Sequence, residues 1–347
     1  MKLLFVIDKP QTLQIVDSLI RRSVLNNEVY VHSFFDTELF VPHVVYNKKF
    51  ANLQQMIDFS AINSKHFDVI FAINHFNPSW KKLHSLDNCV GLEYCWNEIY
   101  NIHRQKQAMP GVLYTNTEDT KKYLASVLPE QQFKSLGSPW FETVCSHASK
   151  EKKKQITVLA PHNNFLAADR ESIASVEKFI IRLKDYAANT GRDLVLKDRR
   201  KFNNALQQKI NFDRVVFDDK PFSHIKLYSE SEAVIHFCSS AVCELAFCET
   251  PSLNLFGDIH RKLHQGDFFK PAISYVNKKH FGNNQGDGIH AVNMESSDLL
   301  NLNAAIDKLE NLVSLEKNWK NYQKSFFPGD HANASDNIIE DVMKKYA

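Results

Sequence analysis

Short apolar runs alternate with longer amphipathic stretches along the first half of the chain, a pattern that predicts strands separated by helices. Between the first two runs, residues 12–25 place apolar side chains at the spacing of one helical face. Connections of about a dozen residues or more between strands imply right-handed crossovers and a mainly parallel sheet. The predicted strands of this half are Lys2–Ile7, Val29–Phe34, Val69–Ile73, Cys89–Leu92, Val112–Thr115 and Phe133–Leu136.

The same pattern starts again after a polar interruption. Residues 147–155 are short, polar and basic, which is typical of an exposed linker between domains or of a long surface loop inside one domain. A helical tail runs from about Leu299 to the last residue. The elements predicted before it are strand Ile156–Ala160, helix Ser172–Ala188, strands Asp193–Lys197, Arg214–Phe217 and Ala233–Phe237, helix Ala241–Cys248 and strand Ser252–Phe256.

These patterns predict an α/β protein with two facing Rossmann-like domains and a cleft between them. The predicted boundaries are residues 1–146, a linker at 147–155, residues 156–328, and a final helix at 329–347 that returns to the first domain. Open α/β sheets bind ligands at the carboxyl ends of their strands. Two facing sheets would therefore bring both sets of strand ends to one crevice, a geometry suited to joining two substrates.

Charge and hydropathy restrict the class of protein. The 42 basic and 40 acidic residues give a net charge of +2, which argues against a dedicated nucleic-acid binder. No apolar run approaches the roughly 18 to 20 residues of a membrane span, and Asp8 interrupts the apolar start too early for a signal peptide. We therefore expect a cytoplasmic protein, with the basic segment Lys150–Lys154 as a surface for peripheral contact with the inner face of a membrane.

The strongest local signal for a ligand site is the segment Glu232–Asp258, which is predicted to form a strand, a Ser-Ser turn, a helix and a second strand. The first turn of a helix leaves backbone N–H groups unpaired, and its dipole favours an anion. The hydroxyls of Ser239 and Ser240 at that point suit a phosphate, although Ser240 as a simple helix cap is the alternative. Glu244 is a charge in an otherwise apolar helix, and its carboxylate could accept hydrogen bonds from a ribose diol.

Two further loops follow predicted strands of the second half. Lys197 and Arg199 belong to a basic run after one strand, where they could neutralise a diphosphate; a solvated loop is the alternative. His162 follows the first strand of that half and could contact a leaving phosphate. There is no G-x-G-x-x-G or Walker loop, and no spacing of ligands typical of a metal site. We expect neither a metal nor a cofactor.

Two carboxylates in the first half are candidates for catalysis. Glu93 follows the strand Cys89–Leu92, and Asp8 follows the strand Lys2–Ile7, so both should lie at carboxyl ends of strands. A carboxylate at either position could act as general base towards an acceptor hydroxyl. A structural or surface role is the alternative for both.

Three segments carry a resemblance to a known family. The segment Ser239–Pro251 resembles the nucleotide site of GT-B glycosyltransferases, in particular the CDP-glycerol glycerophosphotransferase and capsule polysaccharide transferase branch. Leu136–Glu142 resembles the Gly-x-Pro-x-x-Asp/Glu segment that closes the amino-terminal domain of these enzymes and of UDP-N-acetylglucosamine 2-epimerases. Gly329–Ser335 resembles the stretch that opens the last helix of the glycerophosphotransferase branch. Gly91–Glu98 stands where that branch has Trp-His-Gly-Thr, which favours a sugar transferase over a polyol-phosphate transferase.

The resemblance implies a metal-independent glycosyltransferase with an amino-terminal acceptor domain and a carboxyl-terminal donor domain. The donor would be a CMP-, CDP- or UDP-linked sugar, and the acceptor a cell-surface glycan or glycolipid. Two alternatives stay open: a UDP-sugar 2-epimerase of the same fold, which would turn over without an acceptor, and a non-catalytic nucleotide-sugar-binding protein.

Overall fold

A computed structural model describes much of the chain. The described residues are 1–7, 10–33, 53–56, 66–73, 86–93, 99, 102, 111–161, 170–198, 210–217, 222–237, 239–255, 275, 291–294, 304, 307, 310–311, 323–324 and 333–346. The chain divides into two compact units, residues 1–146 together with 324–347, and residues 147–323. In the part that the structure describes, no helix is both long enough and apolar enough to cross a membrane.

The helices with defined bounds are α1 (Pro10–Ser23), α2 (Glu118–Val127), α3 (Pro139–His147), α4 (Arg170–Asn189), α5 (Ser223–Glu230), α6 (Ala241–Phe247) and α7 (Ala334–Tyr346). α3 shows how local chemistry places a helix start. Gly137 has φ 97°, a conformation that favours glycine, and Pro139 then occupies the first helical position, where its missing N–H costs nothing.

The first unit contains a seven-stranded sheet whose pairs are all parallel. The sheet order is β3-β2-β1-β4-β5-β6-β7, so the strand order reverses between β1 and β4. Residues Leu3–Ile7 of β1 are almost wholly buried, as expected of a strand covered on both faces. The strands are β1 (Lys2–Ile7), β2 (Glu28–Ser33), β3 (Leu53–Met56), β4 (Val69–Ile73), β5 (Cys89–Leu92), β6 (Leu113–Thr115) and β7 (Phe133–Ser135).

The second unit repeats this topology with six parallel strands. Its order is β10-β9-β8-β11-β12-β13, and the reversal lies between β8 and β11. Strand β8 begins at Lys153, inside the basic segment that follows α3. The strands are β8 (Lys153–Leu159), β9 (Asp193–Asp198), β10 (Arg214–Phe217), β11 (Ser231–His236), β12 (Ser252–Leu255) and β13 (Ala291–Met294).

The two faces of the second sheet differ in chemistry. One face is apolar and packs against α4, with side chains such as Val158, Leu196 and Phe179 in a single buried cluster. Strand residues alternate between faces, and the register places the remaining inward side chains on the opposite face. That face, where α5 lies, carries buried polar side chains at Thr157, Lys197, His236, Ser252 and Asn254. Polar groups are therefore concentrated on one side of this sheet.

The last helix, α7, belongs to the first unit. It lies against α1, where Ser335 Oγ and Ser18 Oγ are 2.8 Å apart. Near its other end, Asp341 accepts hydrogen bonds from Lys134 Nζ at 2.6 Å and from the Tyr114 hydroxyl at 2.8 Å. Both ends of the helix are thus tied to the first unit by buried or half-buried polar contacts.

Candidate functional site

Lys197 lies near the carboxyl end of β9, on the polar face of the second sheet. Its backbone pairs with Leu159 at the end of β8, the strand next to the reversal of strand order. Lys197 is buried, and its Nζ lies 5.8 Å from the centre of the Tyr228 ring. That distance is within the reach of a cation–π interaction. The predicted site residue Lys197 therefore packs against α5 and does not project into a solvated loop.

α5 supplies two aromatic side chains beside Lys197. His224 and Tyr228 are one helical turn apart, and their rings meet edge to face with centroids 5.6 Å apart. The helix begins after Phe222, which has φ 62°, an unusual conformation for a bulky residue. The Phe222 ring packs on the His147 ring with centroids 4.3 Å apart. This contact accompanies the strained start of the helix that carries His224.

Glu244 brings a negative charge to the same place. Every residue of α6 is buried, so the Glu244 carboxylate lies in an otherwise apolar helix. His224 Nε2 lies 3.7 Å from Glu244 Oε1, an ion-pair distance when the imidazole is protonated. A buried carboxylate needs such partners, because burial without them is costly. Lys197, His224, Tyr228 and Glu244 together form a group that we name the Tyr228 cluster.

Sequence reasoning identified two members of the Tyr228 cluster, Lys197 and Glu244, and missed the other two. The signal that could have found them is the His224–Tyr228 pair at helical spacing, immediately before the predicted strand that leads to the Ser-Ser turn. The apolar pattern predicts no element for this segment. The cluster unites three elements, β9, α5 and α6, because parallel strands place their carboxyl ends at one edge of the sheet.

The turn before α6 is held by a buried histidine. His236 is the last residue of β11, and its Nδ1 accepts a hydrogen bond from the backbone N–H of Ser239 at 3.3 Å. An accepting Nδ1 is unprotonated, so in the neutral ring the proton is on Nε2. Nε2 lies 3.3 Å from Ser252 Oγ on β12, to which it donates in this tautomer. The shape of the turn thus depends on a side chain from the polar face of the sheet.

The structure corrects two expectations about the Ser-Ser turn. Ser240 occupies the N-cap position but makes no capping hydrogen bond with its side chain; Ser239 Oγ instead accepts from the backbone N–H of Ala241 at 3.2 Å. The N–H groups of Val242 and Cys243 donate to the carbonyls of Ser239 and Ser240. The expectation of unpaired N–H groups is therefore wrong for these three residues, since the turn satisfies them itself.

Glu93 lies at the carboxyl end of β5, as predicted, and its carboxylate takes part in a network of hydrogen bonds. Glu93 Oε2 accepts from the backbone N–H of Asn116 at 2.6 Å. Asn116 Oδ1 in turn accepts from Ser138 Oγ, also at 2.6 Å. All three residues are buried. The carboxylate therefore helps to fix the loops after β5, β6 and β7. This contact supports a structural role for Glu93, the alternative to its role in catalysis.

The remaining predicted site residues, Asp8, His162 and Arg199, lie outside the described residues. Their roles stay predictions. Across the described ranges, no group of three or more His, Cys, Asp or Glu side chains could hold a metal ion.

Two of the segments that carry the family resemblance touch each other. Glu142 Oε2 accepts a hydrogen bond from the backbone N–H of Ser335 at 2.9 Å, in the first turn of α7. A carboxylate there is favourable to the helix dipole. Burial nevertheless raises the pKa of Glu142, more than the bonds from Ser335 lower it. The Leu136–Glu142 segment thus contributes to docking the last helix.

Comparisons with known proteins bear on the fold. No protein-family model matches the sequence, and no curated protein is significantly similar to it. Solved structures do match. UDP-GlcNAc 2-epimerase from Methanocaldococcus jannaschii, in complex with UDP-GlcNAc and UDP, has a TM-score of 0.63 at 12% identity over 99% of this chain and 100% of its own. The enzyme from Neisseria meningitidis, bound to UDP-GlcNAc, has a TM-score of 0.59 at 13% identity, with the same coverage of both chains.

A wall teichoic acid polymerase matches over 99% of this chain and 89% of its own, with a TM-score of 0.56 at 11% identity. This chain has a GT-B type of fold. The predicted class, two α/β domains with Rossmann-type parallel sheets, is confirmed. At these identities the likeness concerns the fold alone, so the activity must be inferred from the site.

Proposed function

We propose that the second unit binds the nucleotide part of a nucleotide-activated sugar at the Tyr228 cluster. The observation that carries this proposal is the series of contacts from Lys197 through Tyr228 and His224 to Glu244. It brings a basic and an acidic side chain to one group near the strand ends beside the reversal of strand order. Ligands of open α/β sheets bind at such a reversal. The Lys197 ammonium suits a diphosphate, and the Glu244 carboxylate suits the hydroxyls of a ribose.

We infer that the reaction is the 2-epimerisation of a UDP-linked sugar. Two of the three similar structures named above are UDP-GlcNAc 2-epimerases, and both have UDP-GlcNAc bound. Epimerisation exchanges a proton at a carbon of the bound sugar and needs no acceptor. It requires acid and base groups beside that carbon, and Glu93 and Asp8 are the candidates in the first unit.

Glycosyl transfer is the second candidate function. It is favoured by the resemblance of Ser239–Pro251 to the glycerophosphotransferase and capsule transferase branch, and by the match to a wall teichoic acid polymerase. In this case the donor is a CMP-, CDP- or UDP-linked sugar, and Glu93 or Asp8 deprotonates a hydroxyl of a glycan or glycolipid acceptor. Lys153, whose side chain is half-exposed, would then lie on the surface that meets a lipid-linked acceptor.

The experiment that separates the two candidates omits the acceptor. The protein is incubated with UDP-GlcNAc alone in heavy water, and the nucleotide sugar is followed by NMR. Epimerisation predicts a second UDP-sugar that differs at carbon 2 and carries deuterium there. If UDP-GlcNAc stays unchanged when it is the only substrate and is consumed once a glycan acceptor is added, the result would contradict epimerisation and support transfer. Binding with no turnover under either condition, and none with CMP- or CDP-linked sugars, would identify a non-catalytic nucleotide-sugar-binding protein.

A further inference from the structure

His224 is the member of the Tyr228 cluster whose side chain faces the Glu244 carboxylate. Its side chain is 15% exposed and that of Glu244 is 7% exposed, so the two groups meet in a largely water-free place. Their separation of 3.7 Å is longer than a hydrogen bond but short enough for a strong electrostatic interaction. A polar ring in this position influences where the two oxygens of Glu244 point.

The His224 ring is itself held in place. Its edge-to-face contact with Tyr228 restrains its rotation, and the Tyr228 ring is buried and lies under Lys197 Nζ. The imidazole is thus supported by a neighbour on the same helix, which is in turn packed against β9. A side chain so restrained can orient a second group with little loss of conformational entropy.

Orientation matters for the function proposed for Glu244. A carboxylate that accepts hydrogen bonds from both hydroxyls of a ribose must present its two oxygens in the plane of the diol. If the carboxylate can rotate, part of the binding energy is used to fix it. A ribose that lacks the 2′-hydroxyl leaves one of these oxygens without its donor, which a buried carboxylate tolerates poorly.

We propose that His224 is a positioning residue for Glu244, and that together they make the site select ribonucleotides over 2′-deoxyribonucleotides. This proposal rests on nucleotide binding at the Tyr228 cluster. His224 acts on Glu244 through its Nε2, and only Glu244 contacts the ribose.

The test compares the affinities for UDP and 2′-deoxy-UDP by titration calorimetry, in the wild type and in two variants of His224. H224F keeps a ring of similar size against Tyr228 but removes both nitrogens. H224Q places an amide near the former Nε2 and so keeps a polar group towards Glu244. The readout is the ratio of the two affinities, which a change in overall stability does not move.

The wild type is expected to prefer UDP by about tenfold, the value of one hydrogen bond to a charged group. H224F should lower this preference to about threefold or less, and H224Q should keep it near about tenfold. E244Q should lower the preference for UDP as much as H224F does. The double variant with both H224F and E244Q should lose no more of this preference than either single variant. The positioning role would be overturned if H224F preferred UDP as strongly as the wild type does, or if H224F and H224Q lost the same amount of this preference.

A third variant of His224 covers the case in which H224F does not fold. H224N keeps a polar side chain in the first turn of α5, but its amide is too short to reach Glu244, so it should lose the preference as well.

The outcomes also separate the inference about His224 from the proposed function. A wild type that binds UDP and 2′-deoxy-UDP equally overturns the inference about His224 and leaves nucleotide binding standing. A wild type that binds neither overturns UDP binding at the Tyr228 cluster, and with it the proposed 2-epimerisation.

Discussion

The carboxyl ends of the strands differ between the two units, although both sheets have the same topology. In the first unit, Glu93, Asn116 and Ser138 are joined by two hydrogen bonds of 2.6 Å. In the second unit, the contacts that relate Glu244 to His224 and Lys197 to Tyr228 are longer, at 3.7 Å and 5.8 Å. In the first region, short hydrogen bonds join three buried residues, one of them through a backbone N–H. In the second region, a lysine faces an aromatic ring and a histidine faces a carboxylate.

This difference separates two uses of buried polar groups. A network of short hydrogen bonds fixes loops relative to one another, which is a contribution to the fold. Charged groups carried on three separate elements create a local field that can recognise a charged ligand. The second unit is therefore the better candidate for nucleotide recognition, while Glu93 has both a structural and a catalytic claim. Substitutions can separate these claims.

The largest effect is expected at Glu93. If Glu93 also serves as the acid or base, E93Q should lower turnover of UDP-GlcNAc by about 100-fold or more. E93Q keeps an oxygen that can accept from Asn116 N–H, so its unfolding free energy should change by less than about 1 kcal/mol, whereas E93A should lose about 2 kcal/mol. Assays of UDP-GlcNAc turnover test the catalytic role of Glu93, and urea unfolding of E93Q and E93A measures its contribution to stability. Full turnover in E93Q would make Glu93 purely structural.

A comparison of two lysines tests the contrast between the units. K197M removes the cation of the Tyr228 cluster and should lower the affinity for UDP about tenfold, with a weaker dependence on salt. K134M removes the partner of Asp341 in the first unit and should leave that affinity unchanged, at a cost of about 1 kcal/mol in stability. Calorimetric titration with UDP at two ionic strengths measures the affinity and its dependence on salt, and urea unfolding measures the stability of both variants. Equal affinities for UDP in K197M and the wild type would contradict the assignment of the site.

A smaller effect concerns Asp341 and pH. Burial acts to raise the pKa of Asp341, but the hydrogen bonds from Lys134 and Tyr114 outweigh it, so the pKa lies below its ordinary value of 3.8. A lowered pKa stabilises the fold above the ordinary value, and this stabilisation is lost as the pH falls through the folded-state pKa. The difference in unfolding free energy between the wild type and D341N should therefore be largest near neutral pH and shrink in acid. A difference that grows in acid would contradict the pairing.

The smallest effect has the opposite sign and occurs at Glu142. Its pKa is raised above the ordinary value of 4.5, mainly by burial. A raised pKa contributes stability that is complete below the ordinary value and is lost as the pH rises through the folded-state pKa. The wild type should thus lose stability relative to E142Q as the pH rises from acid towards neutrality. Urea unfolding over that pH range measures this, and a relative gain would contradict it.

The sequence predicted the fold where strands are continuous and apolar. The bounds of β1, β4, β5 and β10 agree with the predicted ones. The elements that were not predicted are β3, β13, α2, α3 and α5. The sequence of Leu53–Met56 does not alternate, and α5 is short. β3 pairs with β2, and α5 packs on the second sheet; a single sequence does not show such tertiary contacts.

The candidate site could be predicted only in part for a similar reason. Lys197 and Glu244 were identifiable because a charge beside or within apolar runs is visible in the sequence. The part played by His224 depends on its distance from Glu244, 20 residues away along the chain. In the Ser-Ser turn, Ser239 accepts the capping bond, and the N–H of the same residue donates to His236 Nδ1 from the preceding strand. Contacts of this kind arise from the tertiary structure.

The most direct test of nucleotide binding in the second unit is the change in unfolding free energy when UDP is added to the wild type and to K197M. A ligand that binds only the folded state stabilises it by about 2.7 kcal/mol at about 100 times its dissociation constant. UDP should therefore stabilise the wild type and, at the same concentration, stabilise K197M clearly less. No stabilisation of the wild type, or equal stabilisation of both proteins, would contradict binding of UDP at the Tyr228 cluster.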